Sequence, residues 1–458
     1  MTGQRILMYG MARSGVAAAR LFAERGATVR IADQKTAEQL GEALAQLRGL
    51  PGVEWRLGEP AESLLDGVDL MVISPGVPIE HPAVQKAKEL GIAVLGELEM
   101  SYRLSQGTVI AITGTNGKTT TTTLVGEIFK NAGRRAHVVG NIGYPYASVA
   151  ADTRPEDVVV VEVSSFQLET IENFHPAISA ILNITEDHLN RHGTMARYAA
   201  LKARVFENQQ ADDIVVLNWD DRALRAMRDQ VMCKVAWFSR REVPPGKGAY
   251  LAGDQIVFGA PGKERAICRA DEVLIPGPHN LENALAASAI AMAAGVPAPV
   301  IRHTLRTFKG VEHRIEFVRE LGGVRFINDS KGTNADSTTK AIETMNRPTV
   351  IILGGYDKHV DFESMCKAIV DSPWIRHAVL IGDTAGQLRR QLAEAGYCQY
   401  VEAGYDFESA IVKAFALAEQ GGNVLLSPAC ASFDMFKSAE HRGDEFKRIV
   451  NALPGRAG

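Results

Sequence analysis

Cysteine is scarce in this chain of 458 residues. There are 5, at positions 233, 268, 366, 398 and 430. An odd number, scattered and without a C-x-x-C spacing, excludes a disulfide framework and a zinc ribbon and fits a reducing compartment. An excess of positive charge is also missing. The formal net charge of −4 argues against a general binder of nucleic acid or membrane surfaces. Long hydrophobic runs are absent: the longest apolar stretch, 284–296, is alanine-rich and too short for a membrane span, so it reads as a packed helix. Arg5, Arg13 and Arg20 interrupt the N-terminal apolar stretch, which is therefore not read as a secretory signal; a cytoplasmic protein is expected. There is no internal repeat and no low-complexity tract. What remains is ordinary globular composition, 46% hydrophobic and 23% charged, on a chain too long for one core. Two or three domains are expected.

The most informative stretch is 108–123, TVIAITGTNGKTTTTT. An apolar β-branched run reads as a buried strand. Gly114, Asn116 and Gly117 follow, then Lys118, Thr119 and Thr120, then a helical pattern. Strand, glycine loop and helix together make a phosphate cradle: backbone N–H groups and the helix N-terminus converge on an anion. Lys118 would reach the terminal phosphates and Thr119 would sit on Mg²⁺. The usual G-x-x-x-x-G-K-[ST] pattern wants a glycine at 112, where this chain has Ile112. A simple Gly/Thr-rich turn is the bland alternative.

Other segments follow the same plan. Residues 5–33 form a β-α-β pattern with Gly10, Gly15 and a terminal Asp33, but Ala12 occupies the second glycine position of a dinucleotide fingerprint. A nucleotide-type ligand or a structural turn both fit. Ser74 follows a further strand. Residues 98–107 read as a connector. Apolar runs ending at Glu162 and at 183–188 place Glu162 and His188 just past strands, as metal or water ligands or as an ordinary strand-end charge and loop histidine. On pattern alone Lys202, beside the apolar face of Leu201, Val205 and Phe206, is a solvated lysine. Residues 239–272 look like a peripheral β segment. Asn280 and Asn283 share a helical face. Residues 310–314 read as a second connector, and the repeated strand-then-Gly/Ser/Asp loops from 325 onward as another parallel α/β sheet.

TGTNGKTT, VEVSSFQLE, ILNITEDHLNRHG, HNLENALAA, GVEHR, NDSKGTN, GGYDK and LLSPACASFDMF stand in the order found in Mur ligases, and the chain resembles that family over essentially its whole length. SSFQLE with LLSPACAS is the most specific part. The resemblance implies an α/β protein of three domains: a Rossmann-like UDP-sugar domain (1–104), a central P-loop ATPase (105–310) and a C-terminal Rossmann-like domain for an amino acid (311–458). It implies a ligase that uses ATP to join D-glutamate to UDP-N-acetylmuramoyl-L-alanine through an acyl phosphate, in peptidoglycan precursor synthesis. The expected form is a cytoplasmic monomer with no nucleic-acid or membrane partner.

The residue roles come from the same resemblance. Gly114, Thr115, Asn116, Gly117, Lys118, Thr119 and Thr120 would hold ATP phosphates, with Asn283 at adenine, Arg314 at phosphate and Asp329 at ribose. Thr119, Glu162 and His188 would bind Mg²⁺. Lys202 matches a lysine that CO₂ carbamylates to help hold a second Mg²⁺. Ser14, Asp33, Gln34, Lys35, Ser74 and Asn141 match the UDP-sugar site, and Thr333, Lys358 and Ser432 the D-glutamate pocket. The chain departs from common family choices at Arg13-Ser14, at Gln34-Lys35 and at Ala439. A nicotinamide oxidoreductase would leave Lys118 without a task, and a nucleotide switch would leave the third domain unexplained.

Overall fold

A computed structural model describes residues 2–141, 144–187, 189–358 and 360–455, the side chains of Glu42 and Asn190 excepted. Two compact units result. One comprises Met1–Val273 with Glu282–Thr307, the other Leu274–Leu281 with Phe308–Gly458.

The first unit carries two sheets. Strands β1 (Arg5–Tyr9), β2 (Thr28–Ala32), β3 (Val53–Trp55), β4 (Leu70–Ile73) and β5 (Ala93–Gly96) form a parallel sheet in the order β3-β2-β1-β4-β5. Side chains alternate across a strand. Ile6 and Met8 thus join Val16, Ala19 and Phe22 of helix Arg13–Glu24 on one face. Leu7 and Tyr9 join Ala83, Val84 and Ala87 of helix Pro82–Glu89 on the other. Strand order reverses between β1 and β4, where open α/β sheets leave a crevice. Ser74 N donates to Tyr9 O across it, at 2.9 Å.

The second sheet has nine strands: β6 (Thr108–Thr113), β7 (Ala136–Gly140), β8 (Val158–Glu162), β9 (Ile178–Ile181), β10 (Ile214–Asn218), β11 (Lys234–Ser239), β12 (Gly248–Ala252), β13 (Gln255–Gly259) and β14 (Arg265–Arg269). Their order is β14-β13-β12-β11-β10-β9-β6-β8-β7, parallel from β7 to β12. Strands β13 and β14 add an antiparallel edge, which is the peripheral β segment read at 239–272. Strand β6 lies between β8 and β9, so the loop leaving it opens at this sheet's own switch point.

The expected connector at 98–107 is instead mostly helix, Glu97–Leu104, with Glu97, Leu98, Glu99, Met100 and Ser101 buried. The partners of its glutamates lie far along the chain. The Glu99 carboxylate accepts from the backbone N–H groups of Glu172, Asn173 and Phe174 at 2.9–3.1 Å and from Arg103 Nε at 2.7 Å. Glu97 Oε1 accepts from Ala147 N at 2.7 Å. Fully satisfied, these carboxylates can be buried.

In the second unit, β15 (Glu316–Leu321), β16 (Val324–Asn328), β17 (Thr349–Gly354), β18 (Ile375–Ile381), β19 (Tyr400–Gly404) and β20 (Asn423–Leu426) pair in the order β15-β16-β20-β17-β18-β19. Both faces are covered: Ile351 and Leu353 enter one core, Val350 and Ile352 another. The sheet is parallel except for β15, an antiparallel edge strand that the sequence reading missed. Its half-exposed run of Glu, Phe, Val, Arg, Glu and Leu lacks the apolar block of a central strand. Just before it, His313 and Ile315 adopt φ of 63° and 47°, unusual for non-glycine residues. No described helix is long and apolar enough to cross a membrane. Most of the 284–296 stretch is packed, as expected, in helix Pro278–Ala293, where Ala284, Leu285, Ala286 and Ala287 are buried; residues 294–296 follow its end.

Candidate functional site

The loop after β6 leads directly into a helix N-terminus, the expected order of strand, glycine loop and helix. Gly117 caps helix Lys118–Asn131 with φ 82° and ψ −10°. A Cβ there would run into Asn283 Oδ1, so glycine is required by both conformation and space. Loop and neighbours interlock. Thr115 N donates to Asn183 O at 3.0 Å, Asn116 N to Asn183 Oδ1 at 2.8 Å, and Asn183 Nδ2 to Asn116 O at 3.1 Å. Lys118 Nζ folds back on its own loop, donating to Gly114 O at 2.9 Å and Thr115 O at 2.7 Å. Thr119 and Thr120 are buried beneath it, and Thr120 Oγ1 has no hydrogen-bond partner among the described residues.

Lys202 is not the solvated lysine its local pattern suggests. It is 1% exposed and donates from Nζ to Gly114 O at 2.9 Å. Burial, then repulsion from Lys118, holds its ammonium well below the ordinary lysine value, against an opposing pull from Asp187 and Glu162. The Nζ also lies over the Tyr198 ring, 4.5 Å from its centroid. Tyr198 is four residues upstream on helix Met195–Ala203, hence on the same face. That ring stacks on His192, whose Nε2 is 3.0 Å from Ser165 Oγ. Burial pushes the Tyr198 hydroxyl up to about 12. The sequence reading missed Tyr198, His192 and Ser165, although the Tyr198–Lys202 spacing was there to be used.

Glu162, at the end of β8, is 1% exposed. Its Oε1 accepts from Asn141 Nδ2 at 2.9 Å; its Oε2 has no hydrogen-bond partner among the described residues. A buried carboxylate oxygen without a donor is costly unless a cation answers it. The oxygen donors here, one carboxylate and threonine hydroxyls, suit a hard cation such as Mg²⁺. Thus Asn141, expected at the sugar nucleotide, touches an expected metal ligand. His188 lies outside the described residues.

Around the switch point of the first sheet, Asp33 Oδ2 accepts from Met11 N at 2.6 Å and Oδ1 from Lys35 N at 2.8 Å. Gln34 Nε2 donates to Tyr9 OH at 3.4 Å. Ser74 is buried, Ser14 half-buried, and Lys35 exposed. Arg13 and Lys35 line a cavity of about 950 Å³ that continues past Arg20 and reaches Tyr144 and Ser148.

The second unit holds the remaining candidates. Asp329 is 1% exposed, and its Oδ2 accepts from Ser427 Oγ at 2.7 Å. Burial pushes its carboxyl up to about 6, opposed mainly by the Arg314 cation. His279, also beside Arg314, is held down to about 3 by burial. His279 Nδ1 and Arg314 Nε are buried without hydrogen-bond partners among the described residues. Thr333 is half-buried, Lys358 exposed and Ser432 buried. Ser432 follows the loop after β20, where Ala429 has a φ of 62°. Arg442, which the sequence reading passed over, braces that loop from beneath.

Family models match along the chain in succession: "Mur ligase MurD-like, N-terminal domain" over residues 4–96, "Mur ligase middle domain" over 112–291 and "Mur ligase, glutamate ligase domain" over 313–430. The chain is 47% identical over 451 residues to a UDP-N-acetylmuramoylalanine–D-glutamate ligase of Caldanaerobacter subterraneus subsp. tengcongensis, covering 98% of each. It is 46% identical over 452 residues to the ligase of that name from Alkaliphilus oremlandii, again covering 98% of each. Among solved structures it is similar in fold to UDP-N-acetylmuramate-alanine ligase from Thermotoga maritima, with TM-score 0.61, 20% identity and coverage of 98% and 99%. MurF from Acinetobacter baumannii is likewise similar, with TM-score 0.62, 18% identity and coverage of 97% and 93%.

Proposed function

The chain belongs to the Mur ligase family, and from that premise we propose that it uses ATP to join D-glutamate to UDP-N-acetylmuramoyl-L-alanine, a step of peptidoglycan precursor synthesis. The observation that carries the ATP-dependent half is the meeting of Lys118 and Lys202 on one loop carbonyl at the head of a helix. Relatives bearing the D-glutamate ligase name over nearly the full chain support the choice of acceptor.

In this reading the muramoyl-L-alanine carboxylate attacks the γ-phosphorus of ATP. The bond to the bridging oxygen breaks, ADP leaves, and an acyl phosphate remains. The D-glutamate amine then attacks the acyl carbon and expels phosphate as an amide forms and the amine loses its proton. Two anions must first approach each other. Lys118 leaves its own carbonyls for the phosphates, and the N–H groups at the head of helix Lys118–Asn131 take the oxygens. Gly114, Thr115, Asn116, Gly117, Thr119 and Thr120 contribute this cradle, with Asn283 at the base, Arg314 at phosphate and Asp329 at ribose. Thr119, Glu162, His188 and Lys202, once carbamylated, would hold two Mg²⁺, which would supply charge neutralisation between carboxylate and triphosphate. A lysine reacts with CO₂ only as the free amine, which the burial of Lys202 favours.

Ser14, Asp33, Gln34, Lys35, Ser74 and Asn141 take the sugar nucleotide. Thr333, Lys358 and Ser432 take D-glutamate, Lys358 by ion pairing and the others by hydrogen bonds. We assign these three tasks to residues 1–104, 105–310 and 311–458, in a cytoplasmic monomer. The test is phosphate release from ATP with UDP-N-acetylmuramoyl-L-alanine and each candidate amino acid in turn. Release with D-glutamate is expected; release with another acceptor only would overturn the assignment.

A further inference from the structure

Arg442, on helix Ala439–Ala452, is a charge sealed from solvent, with 0% exposure. Burying a guanidinium costs several kcal/mol unless an anion answers it. Among the described residues no carboxylate pairs with this one. Its hydrogen bonds all go to neutral oxygens. Nε donates to Ser330 Oγ at 3.0 Å, Nη2 to Ser330 O at 2.8 Å and to Cys430 O at 3.0 Å, and Nη1 to Ala431 O at 3.3 Å. Asp329 and Asp434 act on it only at longer range.

Those acceptors belong to the loops leaving β16 and β20, and the second loop runs directly into Ser432. Its peptide bonds are trans. The Ser432 N–H therefore points opposite to the Ala431 carbonyl, away from Arg442. Ser432 is 2% exposed, yet its N–H donates to no backbone carbonyl among the described residues. A cation thus lies on one side of the loop, and an N–H without a backbone acceptor faces the other way. Positive charge behind the loop and an N–H in front of it both favour an anion at Ser432.

We propose that Arg442 is a positioning residue for the acidic amino-acid substrate: it fixes the 430–432 loop and supplies, through that loop, the positive charge for the carboxylate that Ser432 receives. The proposal rests on the D-glutamate ligase reading and on the part given there to Ser432. Burial lowers the guanidinium only to about 10, so it stays charged at neutral pH. A purely structural arginine would need its shape and hydrogen bonds; this one needs its charge as well.

The test compares Arg442→Lys and Arg442→Met with the unaltered protein in D-glutamate-dependent phosphate release. In Arg442→Met the KM for D-glutamate should rise roughly tenfold or more, with the KM values for ATP and sugar nucleotide near those of the unaltered protein. Arg442→Lys should recover most of the loss. Equal rises in all three KM values, or a folded lysine variant as impaired as the methionine one, overturn the proposal. A second measurement needs no variant. In the unaltered protein with sugar nucleotide and a non-hydrolysable ATP analogue, D-glutamate should slow backbone hydrogen exchange in residues 429–433; unchanged exchange overturns the proposal even where a variant fails to fold. If the unaltered protein does not use D-glutamate at all, the ligase reading falls first and takes this proposal with it.

Discussion

Lys118 and Lys202 donate to the same acceptor, the carbonyl oxygen of Gly114, each at 2.9 Å. Two cations on one neutral oxygen repel each other, and the charge of Lys202 is disfavoured by its burial first and by Lys118 second. The proposed function gives the two lysines different tasks despite this shared contact.

Replacing Lys118 with Ala should lower kcat on the order of 10²-fold or more, since a charge-stabilising donor is lost. Lys202→Arg keeps the cation and the reach but cannot carry a carbamate. It should be impaired to a similar degree and insensitive to added bicarbonate, while the unaltered enzyme stripped of CO₂ should regain activity with it. Steady-state rates with and without bicarbonate check both; an arginine variant at full activity would remove the carbamate from the account.

Asn141 holds one oxygen of Glu162 at 2.9 Å and leaves the other free for a cation. Partners that orient a metal ligand are typically worth about 10–100-fold in metal affinity or activity. Asn141→Ala should thus raise the Mg²⁺ concentration for half-maximal rate by roughly tenfold, besides weakening the sugar nucleotide. A magnesium titration at saturating nucleotide reads the first effect separately from the second.

Glu97 titrates within the folded protein. Burial raises its carboxyl from 4.5 to about 7, although Ala147 N and Ser101 Oγ donate to it. Between those values the folded chain keeps a proton that the unfolded chain releases, so stability falls as pH rises through this window. Glu97→Gln stays neutral. Its stability relative to the unaltered protein should climb from pH 4.5 to 7 and level off above, by at most about 3 kcal/mol. Denaturant unfolding at several pH values would show it; a difference independent of pH would refute it.

Lys358 is exposed, so its removal should leave the melting temperature nearly unchanged. Lys358→Ala should raise the KM for D-glutamate far more than that for ATP. Equal effects on both would sink its role.

The parallel sheets and the strand–glycine loop–helix order at 108–131 were legible in the sequence because apolar runs ending in Gly, Ser and Asp loops have one economical arrangement. Local pattern failed where a partner lies far along the chain. Lys202 looks solvated within its own helix and is buried only because the 114 loop covers it. Glu99 falls in the stretch read as a connector and is buried against 172–174, as its neighbour Glu97 is against 147. Arg442 sits in an ordinary charged helix, and its acceptors are more than ten residues away in one loop and more than a hundred in another. Strand β15 carries too many charges to announce itself. In each case the missing information was tertiary, and only the residue-by-residue likeness to Mur ligases could have supplied it for Lys202.

The Glu99 carboxylate, gripped by three successive amides and an arginine, has a mechanical meaning. It rivets the helix leaving the five-stranded sheet to the loop ahead of β9 in the nine-stranded one. Those two sheets cannot swing like jaws without tearing out several charge-assisted bonds together. Cutting this rivet, as in Glu99→Gln, should let the two sheets shift against each other before it disturbs the loop after β6.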